Sequence, residues 1–136
     1  MKLKEIVDAY KALGEAKVHN LEESEILKIV KARKVMRQYA EEYDTFLKDC
    51  QEKFKPENFD EIQSKIQKWD ELTNEEKVSI NKVLIAYQQS INNAVVEELE
   101  KIIDITFDKL NEDTISKLLK NNEWPINKLD ELQIML

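Results

Sequence analysis

A run of 33 residues without glycine or proline, from Glu22 to Phe54, constrains this chain more than any other feature. Within it Ile26, Ile29, Arg33, Met36, Ala40, Tyr43, Leu47, Cys50 and Phe54 alternate spacings of three and four. That rhythm is the seam of a helix packed lengthwise on another helix. Only Arg33 breaks its apolar character. Leu27, Val30, Tyr39 and Phe46 widen the stripe, as a helix buried in a bundle requires. Glu22, Glu23 and Glu25 fall in the first turn and Lys53 in the last, so the charges complement the helix dipole. At 1.5 Å per residue the helix would span roughly 50 Å. That length implies an elongated molecule, a partner helix of similar length, or both.

The remaining segments are shorter. Leu3, Ile6, Val7, Tyr10 and Leu13 share one face of a helix over residues 2–13, which Gly14 is placed to cap. Residues 15–21 form a connector anchored by Val18 and Leu21. Beyond Pro56, Phe59, Ile62, Ile66 and Trp69 mark a helix over about 58–70. Thr73 stands three before Glu76, a capping box that opens another long helix to about residue 100. Its stripe is Ile80, Leu84, Tyr87, Ile91, then Ala94 or Val95, then Leu99. Ile103 to Phe107 switches to alternation with β-branching, which favours a short strand. Its natural partner is the 16–20 connector. Asn111 or Asp113 caps a helix carrying Ile115, Leu118 and Leu119 that ends at Asn121–Asn122. A last amphipathic segment holds Ile126, Leu129, Leu132, Met135 and Leu136. The expectation is one elongated, mainly α domain over 1–136. Its centre is an antiparallel hairpin of helices 22–54 and 74–100, buttressed by shorter helices, with a small β-ribbon of 16–20 against 102–107.

One glycine and two prolines are too few for the turns of a β-rich fold. The charge of −7 is uneven: residues 1–55 hold 12 basic and 11 acidic side chains, residues 56–136 hold 9 and 17. The acidic half disfavours non-specific nucleic-acid binding. A lone cysteine excludes an intramolecular disulfide, and a place on the apolar stripe makes Cys50 a buried small hydrophobe. The first residues lack the apolar core of a secretory signal, and no uncharged run reaches the roughly 18 residues of a membrane span. A cytoplasmic protein is expected.

Catalytic chemistry finds little support. Glu22-x-x-Glu25 and Glu41-x-x-Asp44 resemble the metal-binding pairs of MazG-like all-α nucleoside-triphosphate pyrophosphatases. The resemblance implies four carboxylates on Mg²⁺, with the two pairs on separate, facing helices. Here both pairs fall on one unbroken helix, roughly 28 Å apart along its axis, and cannot share an ion. His19 is the only histidine, so neither a di-iron bundle nor a structural zinc site can form within one chain. No glycine-rich phosphate loop exists with Gly14 alone. No catalytic, cofactor or metal-binding residue and no small-molecule substrate is assigned.

Interaction surfaces are more legible. Val83 to Val96 is 14 residues without a charge in a chain that is 36% charged. Either that helix is buried on most sides, or Gln88, Gln89, Asn92 and Asn93 line a contact with another subunit or a partner. Lys28, Lys31, Arg33, Lys34 and Arg37 form a basic cluster that is either a solvated face or a contact for an acidic surface. Trp69 and Trp124 read as packing anchors. Ile134, Met135 and Leu136 either tuck into the bundle or dock elsewhere. The candidate interface is therefore Arg33, Lys34, Arg37, Gln88, Gln89, Asn92, Asn93, Met135 and Leu136.

Residues Leu3 to Leu13, Val18 and Leu21, followed by a long helix with Lys28, Lys31, Ala40, Glu41 and Tyr43, resemble small uncharacterised helical proteins of bacteriophages and prophages. The resemblance covers about residues 1–55 and implies an origin on a mobile element, with no site residue attached. The expected role is a non-enzymatic interaction or assembly protein, acting on a protein partner or on a second copy. A MazG-like hydrolase is the alternative.

Overall fold

The computed structural model describes residues 1–136. Six α-helices form: α1 (Leu3–Glu15), α2 (Glu23–Lys53), α3 (Phe59–Ile66), α4 (Asn74–Leu99), α5 (Glu112–Asn122) and α6 (Lys128–Glu131). Single 3-10 turns stand at Trp69–Glu71 and Gln133–Met135. The helix expected from the long glycine-free run is present and unbroken as α2. No helix is long and apolar enough to cross a membrane.

The chain divides into two compact units. The first joins Met1–Asp44 to Leu99–Leu136. Its core takes Leu3, Ile6, Val7 and Leu13 from α1, and Ile29, Ala32, Met36, Ala40 and Tyr43 from α2. Leu118, Leu132 and Met135 close it, all three fully buried. α1 packs on α6 and on the turn that follows it. The second unit, Thr45–Glu98, holds the end of α2, α3 and α4. There Cys50, Ile62, Ile80 and Ile91 are buried. The Tyr87 hydroxyl donates to the Gln51 carbonyl at 3.0 Å and its ring lies 5.7 Å from that of Phe59.

The caps follow the local sequence. Thr73 Oγ1 accepts from the Glu76 N–H at 3.2 Å while the Glu76 carboxylate accepts from the Thr73 N–H at 3.4 Å, so the box at the start of α4 closes. Asn111 Oδ1 accepts from the Thr114 N–H at 2.8 Å and caps α5. α5 ends on Glu123 in the left-handed region, φ 52°, with the Trp124 N–H returning to the Leu119 carbonyl.

Gly14 does not cap α1. It lies inside the helix with ordinary helical backbone, and the cap is Ala16. What Gly14 supplies is space: a Cβ there would meet the Arg33 guanidinium at 3.0 Å. The expected ribbon of 16–20 with 102–107 does not form. Residues 103–111 form no strand, and the one bridge nearby joins Ile102 to Lys2. The Leu3 N–H donates to the Lys101 carbonyl and the Ile103 N–H to the Met1 carbonyl. Residue 3 then enters α1, which ends the pairing after one step. The connector is held by side chains instead. Asn122 Oδ1 accepts from the Lys17 N–H at 2.7 Å, and the Asn121 amide donates to the His19 carbonyl at 2.6 Å. Two amides at the end of α5 thus take the place of a strand partner. Leu27 and Val30 do not widen the buried stripe either. They are 55% and 56% exposed, because the core side of α2 is narrower than the run of apolar residues suggests. Ile126 is exposed for a different reason: it falls in the turn between Pro125 and α6.

Candidate interaction surface

Three groups of residues carry the polar and surface chemistry of this chain. The first is centred on Glu25, which is 1% exposed. One carboxylate oxygen accepts from the Asn111 N–H and from the Thr114 hydroxyl, both at 2.8 Å. The other lies 2.7 Å from Lys28 Nζ. The first turn of α2 is thereby tied to the N-terminus of α5, where free N–H groups and the helix dipole favour an anion. The Lys28 ammonium and the Asn111 N–H hold the Glu25 carboxyl at about 2, against an ordinary 4.5, and the Thr114 hydroxyl adds to them although burial opposes the shift. Glu25 is thus committed to structure. Glu41 and Asp44 lie four and more turns further along the same continuous helix, so the two carboxylate pairs do not converge. No group of three or more His, Cys, Asp and Glu side chains gathers anywhere in a geometry that would hold a metal ion.

The second group is the basic cluster, which the structure splits. Lys28 is engaged by Glu25. Arg33 turns inward: its guanidinium lies 4.4 Å from the Tyr10 ring centroid, above the space left by Gly14, and its Nε is buried. The polar member of the heptad seam therefore makes an internal contact between α2 and α1. Lys31, Lys34 and Arg37 remain exposed.

The third group is the exposed side of α4. Gln88, Gln89, Asn92 and Asn93 are all exposed, and the Gln88 amide donates to the Asn92 carbonyl oxygen at 2.9 Å. The uncharged stretch is therefore not enclosed on most sides. Val78, Ile85 and Val96 on the same helix are 67%, 57% and 62% exposed. An open depression of about 550 Å³ runs between Val78, Asn81, Lys82, Ile85, Ala86 and Gln89. Sequence reasoning found the polar members of this face and missed the apolar ones. The signal was present, since Val78, Ile85 and Val96 fall outside the stripe that begins at Ile80. The other proposed interface residues separate: Met135 is fully buried, its carbonyl accepting from the Leu110 N–H at 2.8 Å, whereas Leu136 is 47% exposed.

Compared with known proteins, the chain finds no match among curated proteins and none among solved structures. A family model does match, that of SPK, described as a domain of unknown function (DUF545), over residues 6–123. The match takes in residues of both compact units, and no comparison links the chain to phage or prophage proteins. With most of its length, from α1 to the end of α5, inside that model, this chain belongs to the SPK family of domains of unknown function.

Proposed function

We propose that this protein is a non-enzymatic interaction or assembly module whose contact surface is the uncharged outer face of α4. One observation carries the reading: in a chain that is 36% charged, the 14 uncharged residues Val83 to Val96 leave Ile85 and Val96 exposed beside four exposed amide side chains, and Val78 is exposed on the same side of the helix. Uncharged amides lose less on leaving water than charged groups do, and an apolar centre ringed by amides is the usual make-up of a protein contact. The hydrogen bond from Tyr87 to Gln51 supports the finer architecture, a hairpin of α4 with the end of α2 that keeps the outer face free. An origin on a phage or prophage is part of the proposal through the likeness of residues 1–55, and the neighbouring genes test it.

A photoreactive amino acid at Gln89, in the full chain expressed in its own cells, should yield protein adducts. The same group at Lys109, exposed in the segment before α5, should not. An absence of adducts at Gln89, or equal adducts at both positions, would overturn the reading. The enzymatic alternative is tested separately. Pyrophosphate release from nucleoside triphosphates with Mg²⁺, lost in Glu22→Gln or Glu41→Gln, would replace the module by a hydrolase.

A further inference from the structure

The outer face of α4 has a regular internal order. Val78, Lys82, Ile85, Gln89, Asn92 and Val96 follow one another at spacings of four, three, four, three and four. This is a second heptad seam on the side of the helix opposite the buried Ile80 and Ile91. The positions that would flank it in a two-helix contact are Ser79, Asn81, Ala86, Gln88, Asn93 and Val95, and none is charged. Flanking charges are what normally direct such a helix to a different partner or fix its direction. Here they are missing. The only charge on the twelve positions is Lys82.

We infer that the occupant of this face is α4 of a second copy, packed antiparallel about a two-fold axis near Tyr87. The inference rests on the reading of the α4 face as the contact surface and names its partner. Two arguments select it. In a two-fold contact every residue near the axis meets its own counterpart or a close neighbour, so a charge there meets a like charge. A face with a single charge, at Lys82 and away from the axis, largely escapes that repulsion, in a protein whose net charge of −7 otherwise keeps copies apart. Direction follows from Lys82. A parallel pair sets Lys82 against Lys82 of the second copy. The antiparallel pair sets it against Asn92, with Val78 facing Val96 and Ile85 facing Gln89, so that all six seam positions find a partner in one register. With three of the six positions apolar, the dimer is weak and concentration-dependent.

Analytical ultracentrifugation of the full chain from about 5 to 500 µM tests this, a range chosen for a contact below standard interface size. A monomer–dimer equilibrium is expected. Ile85→Glu should weaken it at least about tenfold while the circular-dichroism melting curve at low concentration stays unchanged, because Ile85 is exposed in the monomer. Asn92→Glu should tighten it roughly two- to tenfold by facing Lys82 of the second copy, twice per dimer. A strict monomer throughout, or a dimer indifferent to Ile85→Glu, would overturn the inference. A dimer weakened by Asn92→Glu would overturn the antiparallel register. A strict monomer that still forms adducts with another protein through Gln89 would reject the second copy and leave the interaction module standing.

Discussion

Glu25 shows how one carboxylate can be mistaken for a site and serve as a fastener. It is charged, buried and bonded to three partners: Gln in its place keeps an oxygen for Asn111 and Thr114 but loses the charge and sets an amide NH2 against the Lys28 ammonium. Glu25→Gln should cost about 2 kcal/mol, read as a lower denaturant midpoint. The pH dependence has a definite sign. The carboxyl titrates at about 2 when folded and near 4.5 when unfolded, so between those values the unfolded chain binds the additional proton. Stability from this group is full above about pH 5, falls as the pH drops, and is lost near pH 2. Chemical denaturation across that range should show a shallower acid decline in Glu25→Gln than in the parent chain; equal slopes would refute the role. The sequence offered Asn111 or Asp113 as the cap of α5, and the structure selects Asn111, bonded to the Thr114 N–H. The sequence could not display Glu25 as the third member, because Glu25 lies 86 residues from Asn111 and 89 from Thr114. A Glu in the first turn of a helix is ordinarily explained by the dipole alone.

Between elements, small contacts decide what the apolar pattern leaves open. Arg33 sits over Gly14 and against Tyr10, so α1 and α2 approach where one residue has no side chain. Gly14→Ala should gain up to about 1 kcal/mol of helix propensity only when Arg33 is absent. In the parent chain the new methyl crowds the guanidinium and the gain shrinks. A double-mutant cycle of Gly14→Ala with Arg33→Ala should therefore be non-additive by roughly 0.5 kcal/mol or more. The connector at residues 17–19 offers a second test. Asn122→Ala should speed exchange of the Lys17 amide about tenfold and cost on the order of 1 kcal/mol. Asn122→Asp keeps the acceptor and should retain most of that protection. The strand expected at 102–107 has a comparable explanation. Its alternation is real, with Ile103 buried and Ile102 exposed, but alternation reports which side faces the core and not whether a neighbour supplies a ladder. The neighbour at residues 1–3 turns into a helix, and the neighbour at 16–20 is already taken by two asparagines.

At the scale of the molecule, α2 contributes to both compact units, with Ile29, Ala32, Met36, Ala40 and Tyr43 buried in the first and Cys50 in the second. Each unit carries one tryptophan, Trp124 and Trp69 respectively. Trp69→Phe and Trp124→Phe therefore each leave a single fluorescent reporter, one per unit. Because α2 runs through residues 44 and 45 without glycine, proline or cap, the two reporters should give coincident urea transitions. Separate midpoints would mean that the helix yields between the units. Much at this scale was legible in the sequence, since a long glycine-free heptad run admits little besides a long helix. The division into units was not, because it depends on which late segments return to the first residues of the chain: Lys101–Ile103 bond to residues 1–3, Asn121–Asn122 to the 17–19 connector, and Asn111 and Thr114 to Glu25.

Cys50 gives that continuity a clock. It is the only thiol in the chain and it is buried on α2. A maleimide cannot reach it while the helix stays packed. The labelling rate of the unmodified protein thus counts the openings of that stretch per unit time, and a cysteine added elsewhere on the surface reacts at its own far faster pace in the same tube. The molecule comes with an internal stopwatch for local opening, readable by mass spectrometry on the unaltered chain.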